Sequence, residues 1–487
     1  MRKLLVLFSL LAATAPAGEW ITSGGNPART GLSDEYAPGG PDLLWSGTQS
    51  GWFGLPVFIS ADKLVTMRFQ SIDYAPIVCH DLFTGETLWT RDFPGANSRS
   101  VPIGLRDNRV YAINFQESRH DTLYCLDAEN GEIVWRGRMT VEMSISESVT
   151  FAENGDLLVN ASDFRIARLD HTDGDTVWTT YRLWPVTGST DICVYESTAY
   201  AWWGDMGTLR LAAFRLSDGR LKDTIRIEDT HPGGPMAQAA PMVGPDGTIY
   251  AHKVGDNVTA IRDDGDSLRT LWVAPISGEG EFFSPFSHFA VGPDSTIYAA
   301  SYGRIIRLNP STGAVMDSSD FVQDTSGVLF NVRLAVDAAG QVFLATGQDA
   351  GGLYCFSPDL RPNWFEPIRR VNTSGPAIGP GGILAVAGDG TELRVYAPAP
   401  AVAEARSRTP ARQLRAPGIV RNVAPIRWSG PAARITIRDI TGALVSATEL
   451  PGPGRFDWDC RAVPAGVYLV RAETGSLTES VRITVCR

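Results

Sequence analysis

One phrase recurs along this chain. Asp81-Leu-Phe-Thr-Gly85-Glu-Thr-Leu-Trp89 returns as Asp127-Ala-Glu-Asn-Gly131-Glu-Ile-Val-Trp135 and as Asp170-His-Thr-Asp-Gly174-Asp-Thr-Val-Trp178. A copied unit restricts the fold to architectures in which one supersecondary element packs against its own copies. A second phrase, a polar turn followed by an alternating apolar strand, keeps the same beat where the first has decayed. Its copies are Asp62-Lys63, Asp107-Asn108, Asn154-Gly155, Glu196-Ser197, Asp246-Gly247, Asp294-Ser295, Ala339-Gly340 and Gly381-Gly382. The turns lie roughly 42 to 50 residues apart, which is the period of a four-stranded propeller blade and longer than an ankyrin or tetratricopeptide repeat. Eight turns imply eight blades, and an all-β chain.

Within a unit the residues favour strands. Gly247 to Ala251 and Ser295 to Ala299 are short, rich in β-branched and aromatic residues, and follow hairpin-type turns. Gly85, Gly131 and Gly313 mark a second hairpin, where glycine takes the positive φ of a tight turn. Gly219, Gly265 and Gly313 keep that turn without a Trp four residues later, so units four to six are expected to pack less regularly. The last unit supplies Leu393-Arg-Val-Tyr396 and then breaks into Ala-Pro-Ala-Pro. Asp42-Leu-Leu-Trp45 has the pattern of the missing strand, and pairing the two would close a ring and remove its exposed edges.

The Asp-x-x-x-Gly-x-x-x-Trp phrase, with Tyr-x-Leu before it and a Gly-Pro-Asp-Gly-Thr-Ile-Tyr turn, resembles the repeat of pyrroloquinoline-quinone-type propellers. The opening Trp20-Ile-Thr-Ser-Gly-Gly-Asn-Pro-Ala-Arg-Thr-Gly31 resembles the start of that family, and the likeness covers about residues 19 to 400. The family includes calcium-dependent quinoprotein alcohol dehydrogenases, the propeller lipoprotein that assists outer-membrane protein assembly, and secreted binding propellers. The resemblance implies that Trp45, Gly85, Trp89, Gly131, Trp135, Gly174 and Trp178, with Trp364, lock neighbouring blades by stacking. It also implies an adjacent Cys-Cys pair and a carboxylate and amide set on calcium in the dehydrogenases. No adjacent cysteines occur here, and no cofactor or metal is expected.

The N-terminus sets the compartment. Met1-Arg2-Lys3 is basic, Leu4 to Ala13 is an apolar run too short to span a bilayer comfortably, and Ala15-Pro-Ala17 fits a signal-peptidase site. Residues 1–17 thus read as a signal peptide, 18–400 as the eight-bladed propeller, 401–424 as a Pro, Ala and Arg-rich linker, and 425–487 as a small β-sandwich. The tail resembles the type A sorting domain of the type IX secretion system and the related Ig-like domain of hook-capping proteins. Asp439, Gly442, Trp458, Gly466 and Tyr468 carry that resemblance. It implies delivery to the surface of a Gram-negative-type bacterium through the periplasm, with the secretion machinery as a partner. The formal charge of −11 disfavours nucleic acid, which needs a cationic track, and no later segment is long and apolar enough for a transmembrane span.

Chemistry is sparse. Cys79, Cys125 and Cys355 share one register and read as buried small hydrophobes, while Cys460 and Cys486 are the candidate disulfide. The six histidines lack metal-ligand spacing, and neither a nucleophile elbow nor a phosphate-cradling loop is present. The acidic turn Asp263-Asp264-Gly265-Asp266 departs from a calcium loop and reads as a solvated hairpin. A binding rim is expected on the connections from each Trp strand to the next unit. These carry Trp52, Phe53, Arg99, Glu147, Gln238, Phe282, Phe283, Phe286, Asn331 and Arg333, the aromatic, amide and Arg groups that contact surfaces use. These readings converge on a secreted, non-catalytic binding propeller for a protein or glycan ligand. The alternative is an enzyme with its site in the central funnel, either a quinone-dependent dehydrogenase or a hydrolase.

Overall fold

Short β-branched runs between polar turns form strands throughout this chain, and four successive strands make each unit. In the computed structural model the residues described are 18–47, 57–68, 74–93, 98–115, 121–141, 148–182, 191–204, 209–228, 230, 239–253, 256–276, 289–301, 303–320, 322, 332–346, 351–369, 375–388, 393–398, 414–416, 419–428, 432–440, 442–452, 454–474 and 478–486. They fall in two compact units, Met1–Ala399 and Pro400–Arg487. Among them no helix is long and apolar enough to cross a membrane.

In the first unit the sheets follow chain order. Phe58–Ser60, Lys63–Met67, Ile77–Asp81 and Thr87–Arg91 form one four-stranded antiparallel sheet. Others are Cys193–Tyr195 to Leu221–Arg226, Met242–Val243 to Leu268–Pro275, Ala290–Val291 to Val315–Ser318, and Arg333–Val336 to Pro362–Pro367. A nine-stranded sheet holds two four-strand runs, Ser98–Arg106 to Ile133–Val141 and Thr150–Phe151 to Thr176–Tyr181. A single pair, Val141 opposite Ala161, joins them, and Tyr74–Ala75 adds a parallel edge. Ala377–Ile378, Leu384–Ala387 and Leu393–Tyr396 take their fourth strand from the other end of the chain. Leu43–Gly47 pairs antiparallel with Leu393–Tyr396, Trp45 opposite Val395, as the pattern of residues 42–45 implies.

Burial follows strand position. Second strands such as Lys63–Met67, Leu157–Ala161 and Ile249–Lys253 are buried along their length, whereas the fourth strand Ile133–Val141 is largely exposed. A strand covered on both faces reads as a continuous apolar run, and an outer strand shows alternation. The hairpin after the first strand is tight: at Asp107 and Asn108 two successive left-handed residues, φ 51° and 61°, give the twist a short hairpin needs.

Neighbouring sheets are joined by a repeated contact. Trp45 stacks on Gly85, Trp89 on Gly131, Trp135 on Gly174 and Trp178 on Gly219; a Cβ on any of these glycines would fall within 2.8 Å of the indole. Each indole Nε1 donates to a carbonyl beside that glycine, at 2.8–3.0 Å for Leu82, Ala128, His171 and Leu216. The expected irregularity of units four to six is corrected at one position. Trp272 stacks on Gly313 and donates to Pro310 O at 2.8 Å. Its hairpin is longer, closing at Asp263 opposite Leu268, so Trp272 stands seven residues after Gly265 while holding the Trp register opposite Ala260. Asp223 and Asp317 occupy that register in the flanking units. Asp223 accepts from Leu268 N at 2.7 Å, so a charged contact replaces the indole there. Trp364 packs toward Tyr396, and its Nε1 has no acceptor among the described residues.

Apolar clusters bridge each sheet to the next. One joins Phe58 and Cys79 to Leu105 and Val110, and another joins Leu344 and Phe356 to Ala290 and Tyr298. The last brings Leu384, Val395 and Tyr396 against Ile59, Leu64 and Leu82 of the first sheet. The contacts therefore run in a closed circuit.

The second unit has a three-stranded sheet, Leu414–Arg415, Val423–Trp428 and Gly454–Asp459. A five-stranded sheet comprises Ile419–Val420, Thr478–Val485, Gly466–Glu473, Ala433–Asp439 and Leu444–Leu450. Trp428 and Trp458 of the first sheet share a core with Ile435, Val470 and Ile483 of the second. Part of the expected linker is thus sandwich: Leu414, Val420 and Ala424 are apolar and buried there, and Ile419 pairs parallel with Thr484. The expected Cys460–Cys486 disulfide is not formed. Both are free thiols, and they end strands of different sheets.

Candidate functional site

The motif Trp20 to Gly31 lacks strand or helix periodicity, and its partners explain why. Trp20 pairs with Ile59, Ile21 O accepts from Leu105 N, and Pro27 O accepts from Val194 N. Ala28 O, Thr30 O and Gly31 O then accept from Val243, Val291 and Val336. Thr22 Oγ1 donates to Val149 O. At Gly18 a Cβ would fall 2.7 Å from Pro380. Residues 18–37 thus meet the first strand of one unit after another and satisfy edges that would otherwise be open. The glycines permit the approach: Gly31, at φ 61°, would drive a Cβ to 2.8 Å from that of Ala290.

Polar side chains gather where this segment crosses. Arg29 is 1% exposed and donates to Ile192 O at 2.8 Å, Ser23 O at 2.8 Å and Ser148 Oγ at 3.1 Å, with Asp191 Oδ2 3.5 Å away. Ser148 Oγ also contacts Thr22 Oγ1 at 2.9 Å and accepts from Ser23 N. Arg182, buried, donates to Asn160 Oδ1 at 3.0 Å. Burial lowers its pKa to about 9 against the pull of Asp191. Arg333 donates to Ser23 Oγ at 3.5 Å, and burial followed by the nearby Arg29 charge lowers it to about 9 as well. The cluster joins residues far apart in the chain. Only the Trp20 to Gly31 motif signals it beforehand; Ser148, Arg182 and Asp191 carry no local pattern.

The rim residues divide. Trp52, Phe53, Glu147, Gln238, Phe282, Phe283, Phe286 and Asn331 lie outside the described residues, as do residues 1–17, expected to be a signal peptide. Arg99 is on the Ser98–Arg106 strand opposite Phe115. Arg333 is not on an exposed rim but is 5% exposed in the cluster, with Gly375 against its side chain.

Other ligand-type groups are engaged structurally. Asp156, Asp170 and His171 come together, but Asp156 is paired with Arg168 at 2.8 Å and His171 Nδ1 at 3.0 Å. Burial raises the Asp156 pKa, and the hydrogen bonds from His171, Asn154 and Arg168 outweigh it to give a net lowering. Asp263 accepts from Lys222 at 2.7 Å and Tyr200 at 2.9 Å, and Asp264 from Arg269 at 2.6 Å, so the acidic turn is a salt-bridged hairpin. Cys79, Cys125 and Cys355 lie on third strands, where burial pushes each thiol up to about 12. His252 is fully buried, neither ring nitrogen has a hydrogen-bond partner among the described residues, and burial holds its pKa down at about 3.

The quinone and calcium of the dehydrogenases do not fit the residues gathered here. Calcium requires several oxygen ligands, and the one described carboxylate in the cluster, Asp191, is ion-paired to Arg29 beside two further guanidinium groups. The sequence also lacks the adjacent cysteine pair.

In the second unit the motif residues build turns and core. Asp439 O accepts from Gly442 N at 2.9 Å and Asp439 Oδ1 from Ala443 N at 3.0 Å, with Gly442 at φ 86°. Trp458 and Tyr468 meet edge to face at 5.1 Å, and Tyr468 donates to Pro464 O at 2.7 Å.

A family profile described as outer membrane protein assembly factor BamB matches residues 75–319. The crystal structure of BamB from Moraxella catarrhalis is similar at 16% identity, over 72% of this chain and 99% of that one, with a TM-score of 0.53. Two quinohemoprotein alcohol dehydrogenases are also similar. ADHIIG from Pseudomonas putida HK5 has 11% identity, 83% of each chain and a TM-score of 0.55, and the enzyme from Comamonas testosteroni has 13%, 84% of each chain and 0.55. Comparison with curated proteins found no match. At these identities the likeness is one of fold, a β-propeller of the quinoprotein type.

Proposed function

Because this chain belongs to the family of the outer membrane protein assembly factor BamB, we propose that it is a non-catalytic binding or scaffold propeller. Eight four-stranded blades, the last completed by Leu43–Gly47, would form the ring; the circuit of clusters and the Trp–Gly contacts support this count. The observation that carries the non-catalytic reading is the make-up of the axial cluster. Arg29, Arg182 and Arg333 stand there with hydroxyl groups and a single described carboxylate. Neither calcium ligands nor a carboxylate pair for hydrolysis is assembled from those residues.

The ligand-binding face is the one carrying the connections from fourth to first strands. Trp52, Phe53, Phe282, Phe283 and Phe286 offer anchors, with Arg99, Glu147, Gln238 and Asn331 as polar partners. A protein or glycan is the ligand class. Residues 1–17 direct export, and the sandwich sorts the chain to the cell surface through the secretion machinery. Asp439, Gly442, Trp458, Gly466 and Tyr468 support that reading by forming the hairpin turn, the core and the strand start that define the motif.

Thermal unfolding with and without pyrroloquinoline quinone plus calcium tests the choice against an enzyme. A ligand at 100 times its Kd stabilises a fold by about 2.7 kcal/mol. No shift is expected. A shift accompanied by acceptor-dependent alcohol oxidation would establish the dehydrogenase instead. Sorting is tested by fusing residues 400–487 to a periplasmic reporter in a host with that secretion system, where surface display is expected and periplasmic retention refutes the assignment.

A further inference from the structure

We infer that residues 18–37 seal the axis of the ring at one end, and that Arg29 is the pin holding the seal; the inference rests on the closed propeller proposed above. The positions of its backbone contacts carry it. Ile59, Leu105, Val194, Val243, Val291 and Val336 each lie within a few residues of the hairpin that follows their first strand. A segment whose backbone bonds fall at that level on successive strands lies across the hairpin end of the axis, while its side-chain bonds to Ile192, Ser148 and Arg333 reach the start of those strands. It is itself buried there: Trp20, Ile21, Thr22, Ser23, Arg29 and Ala37 are all under 9% exposed.

Arg29 fastens the crossing at its middle. Its guanidinium reaches back to Ser23 within the segment and out to Ser148 and Ile192 of two neighbouring sheets, so one side chain ties three chain regions. Next to it, Ala28 O accepts from Val243 N and from the Cys193 thiol at 3.4 Å. Cys193 is completely buried, and the segment is part of what covers it.

The test is thiol labelling of the full chain with a maleimide, mapped residue by residue. In the native protein Cys193 is expected to stay unlabelled. Arg29→Ala should raise its labelling rate at least tenfold while Cys79, Cys125 and Cys355, on third strands away from the segment, keep theirs. An unchanged Cys193 rate in a folded variant overturns the role of Arg29. If the variant fails to fold and all six thiols react, a second form decides. A protease site is inserted between Gly39 and Gly40, where an added Cβ meets no atom of the described residues closer than 3.8 Å. After cleavage the N-terminal fragment should remain bound in native buffer, and its release in mild denaturant should coincide with Cys193 labelling. Release without Cys193 exposure overturns the seal. Since no ligand takes part, failure here leaves the binding function untouched.

Discussion

Adding one methyl group at Gly313 is expected to undo the contact that sequence spacing hides. A Cβ there would lie 2.5 Å from Trp272 Cε3 and within 3.0 Å of two further ring atoms, so the indole must leave its seat. Its hydrogen bond to Pro310 O is then lost, at about 1 kcal/mol. Its packing, next to Tyr250 at 5.9 Å, contributes about 1 kcal/mol more. The substituted residue also sits at φ 70°, a left-handed conformation that costs an L-residue about 1–2 kcal/mol. The sum for Gly313→Ala is about 3–4 kcal/mol. Gly381 isolates the indole's share, having φ 71° and no atom of the described residues within 4 Å of its added Cβ. Gly381→Ala should therefore lose only about 1–2 kcal/mol. Urea unfolding followed by circular dichroism gives both midpoints, with unchanged m-values as the check that stability alone has moved. Equal midpoints for the two variants would refute the docking role of Trp272.

Three other outcomes are expected. His252→Leu should flatten the acid side of the stability profile. Its folded pKa, lowered by burial to about 3, makes wild-type stability fall as pH drops below the unfolded value near 6.5. At pH 5 the difference from the variant is about 2 kcal/mol, measured by denaturation at pH 7.5 and 5, and parallel losses would contradict it. Trp45→Ala should speed hydrogen exchange at Leu393–Tyr396, whose partner strand Leu43–Gly47 it loosens, while Ile249–Lys253 exchanges as before; uniform change would mean global unfolding instead. The denatured chain without reductant should titrate six thiols, and four would restore the Cys460–Cys486 bond.

Features that depend on neighbours in sequence were readable from the residues alone. Glycine at a turn and Trp four residues later announce the docking contact for Trp89, Trp135 and Trp178, because hairpin length fixes their register. The same logic fails at Trp272, where the Asp263 to Leu268 hairpin is longer and the indole reaches the same place from a different spacing. Closure by Leu43–Gly47 was legible since a strand pattern without a local partner must find a distant one. The axial cluster was not, as Arg29 and Asp191 have no periodic signature and meet only once the units are assembled. The sandwich began earlier than composition implied: Leu414 and Val420 sit among Arg, Pro and Gly, yet their burial decides their fate.

The pairing of Leu43–Gly47 with Leu393–Tyr396 also sets a timetable. A linear solenoid can be finished repeat by repeat as it emerges, but here the earliest strand waits for the latest. Until residue 396 is available, the edge destined for residues 43–47 stays open, and the Trp45 indole has a neighbour at Gly85 but no sheet of its own. Chain delivery, whether from a ribosome or across a membrane, therefore ends in a single joining event whose rate depends on loop closure over nearly the whole propeller. Interrupting synthesis inside the last repeat would leave both termini unjoined, so a short C-terminal loss in this domain is felt at its beginning.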